Sequence, residues 1–289
     1  MIRLGGNGIP GADGDPFAFA KAHREFGYGA AYCPPAAIGD ARRLADIEAA
    51  FARENVTIAE VGIWRNLVTR DAAVRKAHRE YAAEKLAVAD AVGAKCAVSY
   101  IGSYAPGSDY GPSPENLTAA AFDDAVEAAR YLIDTVKPKR AKFALEMEQY
   151  SLPDSVDMYV KLIEAVDRPA FAAHVDPVNL VLTPRTYFNT GALLSEIFGK
   201  LGPWIVSCHA KDIVLHHQAA LHFDEIIIGK GIMDYGAFLS ELNKLGRDVP
   251  LMMEHLEDAE YALARDEIFR IGDAIGIGFV NRARTPQRA

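Results

Sequence analysis

Eight short runs rich in β-branched and apolar residues alternate with longer stretches whose apolar positions recur at helical spacing. The runs cover 2–6, 29–33, 56–63, 95–101, 141–147, 170–176, 204–210 and 249–254. Between them, Leu44, Ile47 and Phe51 follow i, i+3, i+7, and Phe122, Val126, Ala129 and Ile133 follow i, i+4, i+7, i+11. Each set draws one apolar stripe on a helix with a charged back. Ser113, Pro114 and Glu115 read as the start of the fourth helix: a cap, a proline at the first turn and an acid at the positive end of the dipole. In the last helix, 257–271, Tyr261, Ala264, Ile268 and Ile271 share a face. Strict alternation predicts a parallel sheet, and eight strands close a barrel. The expected architecture is therefore α/β, a single (β/α)8 TIM barrel over 1–275, followed by a basic tail over 276–289. An open doubly wound sheet is the competing fold. Its phosphate turn is missing, because Gly5-Gly6-Asn7-Gly8 lacks the G-x-G-x-x-G spacing.

Composition narrows the partners. A length of 289 residues suits one barrel, and 31 basic against 39 acidic residues leave a net charge of −8. That balance argues against a nucleic-acid backbone as ligand, which needs a clustered cationic surface. The tail arginines Arg282, Arg284 and Arg288 read as a frayed end or a subunit-contact arm. No run of about 18 uncharged apolar residues is present to span a membrane. Met1-Ile2-Arg3-Leu4 already reads as strand, so no leader is expected. Cys33, Cys96 and Cys208 form no C-x-x-C pair. A cytoplasmic protein with reduced thiols, assembling as a homo-oligomer, is the expectation.

Connections that follow strands lie on the catalytic face of a barrel. Three are long: 102–112 with Tyr104 and Tyr110, 177–190 with Arg185 and Tyr187, and the histidine-rich 213–231. Together they suggest a substrate cover. Alternation within the strands then sorts side chains between barrel interior and helix layer. Phe143, Leu145 and Met147 should face the helices, leaving Glu146 and Glu148 inward; Ser207, His209 and Lys211 share an inward face, as do His174 and Asp176, and Met252 and Glu254. Strands five to eight thus end in Glu146, Asp176, His209 and Glu254. Three carboxylates and an imidazole converging in a barrel mouth repel one another without a cation. An oxygen-rich set of this kind favours Mn²⁺, Mg²⁺ or Co²⁺, with Zn²⁺ possible.

These residues also carry a family resemblance. Ala144-Leu145-Glu146, His174-Val175-Asp176-Pro177-Val178-Asn179, Ser207-Cys208-His209-Ala210-Lys211-Asp212 and Met253-Glu254-His255 resemble the sugar phosphate isomerase/epimerase group of xylose-isomerase-like barrels. Glu60-Val61-Gly62-Ile63-Trp64 and Gly229-Lys230-Gly231-Ile232-Met233-Asp234-Tyr235 look like stretches of the same group. The resemblance implies that Glu146, Asp176, His209 and Glu254 hold one divalent metal. It also implies a proton removed next to a carbonyl of a sugar or polyol, with an enediolate intermediate and with Glu146 and Glu254 exchanging protons on opposite faces. The group's ketose 3-epimerases resemble D-x-x-H on strand six, whereas this chain has Asn179 at the histidine position. Asn179 can still hydrogen-bond a hydroxyl but cannot titrate.

Further residues divide between site and scaffold. Lys211 shares the face of His209 and reads as an oxyanion or proton partner, or as a surface lysine beyond the strand. His174 orients a ligand, contacts substrate or acts as an acid, or is a hydrogen-bonded core histidine. Glu148 holds substrate, or is itself the ligand if the register differs by two. Asp212 reads as a cap or a partner of His209. Arg185 is the cation best suited to a substrate phosphate or carboxylate; Trp64 is a candidate sugar-stacking ring and His222 a candidate substrate contact. His255 should face the helix layer. The leading function is a metal-dependent sugar isomerase or epimerase of carbohydrate metabolism. A lyase on the same scaffold is the alternative: a keto-inositol dehydratase or 3-oxo-glycoside lyase, with a second subunit in that case. A metal-dependent endonuclease and a non-catalytic sugar-binding subunit follow.

Overall fold

The computed structural model describes residues 1–9 and 14–282. Eight parallel strands form a nearly closed barrel: β1 (Arg3–Gly6), β2 (Ala30–Tyr32), β3 (Thr57–Gly62), β4 (Cys96–Ser99), β5 (Lys142–Glu146), β6 (Phe171–Val175), β7 (Ile205–Ala210) and, after the hairpin strands β8 (Asp212–His216) and β9 (His222–Ile226), β10 (Pro250–Met253). The order around the sheet is β1-β10-β7-β6-β5-β4-β3-β2. A backbone hydrogen bond from Gly29 N to Leu4 O, 2.9 Å, bridges the remaining seam between β1 and β2. Gly5 permits that approach, because a Cβ there would lie 2.5 Å from Ala30 O. The sequence expectation of a TIM barrel holds, and the eight observed strands fall inside the eight runs.

The helices are α1 (Pro16–Glu25), α2 (Ala41–Glu54), α3 (Ala72–Val92), α4 (Ala119–Val136), α5 (Val156–Val166), α6 (Pro184–Tyr187), α7 (Thr190–Leu201), α8 (Tyr235–Lys244) and α9 (Tyr261–Ala274). Leu44, Ile47 and Phe51 of α2 are buried, as their spacing requires. Two expectations shift. Ser113 caps a 3₁₀ turn, Pro114–Leu117, and α4 starts only at Ala119, where Thr118 in extended conformation accepts from Ala121 N. The fully buried face of α4 is set by Ala121, Ala125, Ala128, Ala129, Leu132 and Ile133, while Phe122 and Val126 sit at its edge.

Alternation is sound in the strands. Phe143, Leu145 and Met147 join the main core between sheet and helices, whereas Ala30, Ala59 and Met252 form a small cluster inside the barrel. The connection 213–231 is not simply a loop. It contains the antiparallel β8–β9 hairpin, His216 opposite His222, projecting beyond the barrel. Asp212 anchors its return by accepting from Gly229 N at 2.9 Å, Gly231 N at 3.1 Å and Met233 N at 2.9 Å. Of the tail, Phe279 bridges to Ile2 beside β1, and Arg282 pairs with Asp273; Arg284 and Arg288 lie outside the described residues. Among the described residues, no helix is long and apolar enough to cross a membrane.

Candidate metal centre and substrate cavity

Parallel register carries four strand ends to one rim. Glu146 closes β5, Asp176 follows β6, His209 lies in β7 and Glu254 follows β10. Their donor atoms all fall within 4.8 Å of one another. His209 Nδ1 is 2.8 Å from Glu146 Oε1, 3.1 Å from Glu254 Oε2 and 3.6 Å from Asp176 Oδ2. Three carboxylates this close, in a buried site of low dielectric, repel strongly. One imidazole nitrogen and three carboxylates around one small volume fit a divalent cation.

The charges respond to that crowding. Burial works against protonation of His209, but Glu254, Glu60 and Glu146 outweigh it and raise its pKa well above the usual imidazole range. Burial also opposes ionisation of Asp176, yet Lys211 and then His209 hold its carboxyl well below the ordinary range. Against the same desolvation, His209 and Lys211 bring Glu254 down to about 2. Glu148 goes the other way: burial, then the charge of Glu146, pushes it up to about 9.

Glu60 completes the floor, and the sequence reading assigned it no role. Its Oε2 lies 3.3 Å from His209 Nε2 and its Oε1 3.0 Å from His174 Nε2, and it accepts from Ser207 Oγ. A carboxylate on Nε2 holds the proton there and aims Nδ1 at Glu146, Asp176 and Glu254, where a cation that displaced the Nδ1 proton would find its lone pair. The signal in the sequence was one acid inside the apolar run 56–63. Asp212 is not this partner, since its oxygens are taken by backbone N–H groups.

A cavity of about 600 Å³ opens above the cluster, lined by Glu146, Glu148, Lys211 and Glu254 together with Trp64, Asn179 and others. Lys211 Nζ lies 2.6 Å from Asp176 Oδ2, 3.3 Å from Glu225 Oε1 and 3.5 Å from Glu254 Oε1. Asn179 donates to Met147 O at 2.9 Å, which orients its remaining amide oxygen. Three expected substrate contacts are not brought to this cavity. His174 is fully buried beneath it, held by Glu60, because its strand position is one layer below Asp176. Arg185 lies in the short helix α6 and lines a separate groove with Asp157 and Glu196. His222 sits on the exposed hairpin, paired with Asp224 at 3.2 Å. In the other direction, His255 does line the cavity: its backbone takes φ 55°, which swings the ring away from the helix layer to meet Glu225 Oε2 at 2.8 Å.

The family model described as xylose isomerase-like TIM barrel matches residues 19–271. A xylose isomerase-like TIM barrel protein from Mycobacterium smegmatis in complex with magnesium superposes with a TM-score of 0.65 at 20% identity, over 94% of this chain and 96% of that one. D-psicose 3-epimerase from Clostridium cellulolyticum H10 with D-tagatose gives 0.68 at 13% identity, over 94% and 99%. The probable 3-DHS dehydratase from Bacillus anthracis gives 0.67 at 13%, over 93% and 99%. At these identities the likeness is one of fold. No curated protein matches the sequence.

Proposed function

We propose, from the premise that this chain belongs to the xylose isomerase-like TIM barrel family, that it is a divalent-metal-dependent isomerase or epimerase of a sugar or sugar derivative. The observation that carries the reading is the four-donor cluster, Glu146, Asp176, His209 and Glu254, at the floor of a sugar-sized cavity. The epimerase and the magnesium-containing structure among the similar folds support it. When bound, the cation supplies Lewis acidity, drawing electron density from a carbonyl and so acidifying the neighbouring C–H.

The remaining work falls to the chain's own groups. Glu146 and Glu254 enter the cavity from β5 and β10, with β6 and β7 between them, and so approach a bound sugar from different sides. One carboxylate takes the α-proton, the electron pair of that C–H bond becomes a carbon–carbon π bond, and the carbonyl π pair moves onto its oxygen. The other, carrying a proton taken up from solvent, returns it to the same carbon from the opposite face, inverting it, or the proton reaches the neighbouring carbon and the carbonyl moves. Lys211 places its ammonium where negative charge develops on substrate oxygen. Glu148 and Asn179 offer hydrogen bonds to hydroxyl groups, and Trp64 covers one wall.

A second reading, a lyase, rests on Glu148. Its Oε2 has no hydrogen-bond partner among the described residues, and the side chain faces the cavity, where it could protonate a departing hydroxyl. One experiment separates the readings. The manganese-loaded protein is incubated in D₂O with a panel of ketoses, keto-inositols and oxo-glycosides and followed by NMR. An isomerase incorporates deuterium at the α-carbon with unchanged carbon skeleton and composition, and stops on chelation. Loss of water or of a leaving group identifies the lyase. Turnover unaffected by chelation contradicts both.

A further inference from the structure

The mouth of the barrel is divided. Of the described residues lining the cavity, Glu60, Glu146, Glu148, Glu225 and Glu254 are acidic, and Lys211 is the single lysine or arginine. That lysine is already shared by Asp176, Glu225 and Glu254. On the other side Tyr32, Trp64, Tyr100 and Tyr110 form an aromatic wall. We propose that the substrate is an uncharged keto-sugar carrying a second ring, a sugar or an aromatic group, which lies along Trp64, Tyr100 and Tyr110. This deepens the reading above and rests on it.

Charge argues the first half. Even with Glu148 protonated and His255 charged, the carboxylates of Glu60, Glu146, Glu225, Glu254 and Asp176 outnumber the charges of a divalent cation, Lys211 and His255, so a phosphate or carboxylate on the substrate meets net repulsion at short range. Arg185, the cation that could have answered an anion, lines a different groove.

The spacing of the rings argues the second half. Trp64 stands first, its ring centroid 6.4 Å from that of His209. It is held there at φ 48°, a left-handed conformation uncommon for a bulky residue, above Gly62, where a Cβ would come 2.5 Å from the indole nitrogen. Tyr100 follows 6.0 Å from Trp64, and Tyr110 5.7 Å from Tyr100. Tyr110 is 40% exposed although Gln149 Nε2 donates to its hydroxyl at 2.8 Å and fixes the ring. A single sugar held by its oxygens at the donor cluster meets Trp64. A second ring directed outward from such a sugar covers Tyr100 and the exposed face of Tyr110. Rings positioned before binding stack on the apolar face of such a group with little ordering cost.

The test is calorimetric, on the full chain loaded with Mn²⁺. The probes are 3-oxo-glucose, its 6-phosphate, its phenyl β-glycoside and 3-oxo-cellobiose. At least one two-ring probe should bind about tenfold tighter than 3-oxo-glucose, and the 6-phosphate should bind more weakly. The phenyl and glycosyl arms show which kind of second ring is preferred. Tyr110→Ala, and independently Tyr100→Leu, should shrink the ratio of two-ring to one-ring affinity toward one; because the readout is a ratio, a general loss of binding cancels. Equal affinity for one- and two-ring probes, tighter binding of the 6-phosphate, an unchanged ratio in both variants, or no binding at all overturns the proposal. Failure of the catalytic reading would show separately, as 3-oxo-glucose that binds but exchanges no α-proton with D₂O.

Discussion

The two halves of the barrel mouth are built differently. From β5 to β10, the barrel strands end in Glu146, Asp176, His209 and Glu254, side chains set by strand register and buried or nearly so. From β1 to β4, the ends present Asn7, Tyr32, Trp64 and Tyr100, joined by Tyr110 from the following connection. The first half is acidic and set by strand ends, the second aromatic and partly carried by loops. Sheet geometry fixes neighbouring donors closely enough for one cation, whereas recognition tolerates, and uses, the variability of connections. Glu60 is the exception that links them. It stands on β3, in the aromatic half, yet reaches across the floor to His209.

Substitutions can break or sharpen this division. The largest effect is expected from His209→Ala, which should abolish stoichiometric divalent metal by elemental analysis while circular dichroism stays that of a folded barrel. Full metal retention would place the cation elsewhere. Next comes Glu60→Gln, which keeps shape but removes the negative partner of His209 Nε2. Metal affinity by titration calorimetry should fall about 10–100-fold. No change would mean that His209 needs no such support and that Glu60 belongs to the floor alone. Smaller again, Trp64→Ala should raise the substrate KM about tenfold with metal stoichiometry intact, since a stacked ring contributes on the order of 1 kcal/mol beyond burial. Loss of metal in that variant would erase the division. Least of all, Arg185→Ala should alter kcat/KM by less than about twofold, as for a surface change away from the site.

What the sequence made legible follows the same division. The strands and the inward positions of Glu146, Asp176, His209 and Glu254 were readable because alternation has period two, and parallel strands place successive ends at one rim. Glu60 obeys the same alternation but was not assigned, because its partners His174, Ser207 and His209 sit on strands across the barrel, a relation no local pattern contains. Loop residues resisted for a different reason. Arg185 and His222 have suitable chemistry, but their directions depend on α6 and on the β8–β9 hairpin, which the sequence pattern does not distinguish from an open loop. Strand alternation carried two residues past the end of β10 at Met253 points His255 at the helix layer, but the positive φ of His255 reverses it. Tyr100 carried no signal until Trp64 and Tyr110 were seen on either side of it.

The account's central claim is that the acidic half removes a proton from carbon. The most direct measurement is the rate of α-deuterium incorporation from D₂O into a turned-over keto-sugar, comparing the natural chain with Glu146→Gln at equal Mn²⁺ occupancy. The amide keeps the shape and one oxygen donor but cannot accept the proton. The account predicts a fall of about 10²–10⁴-fold, the usual contribution of a general base. Equal exchange rates at equal occupancy would contradict it.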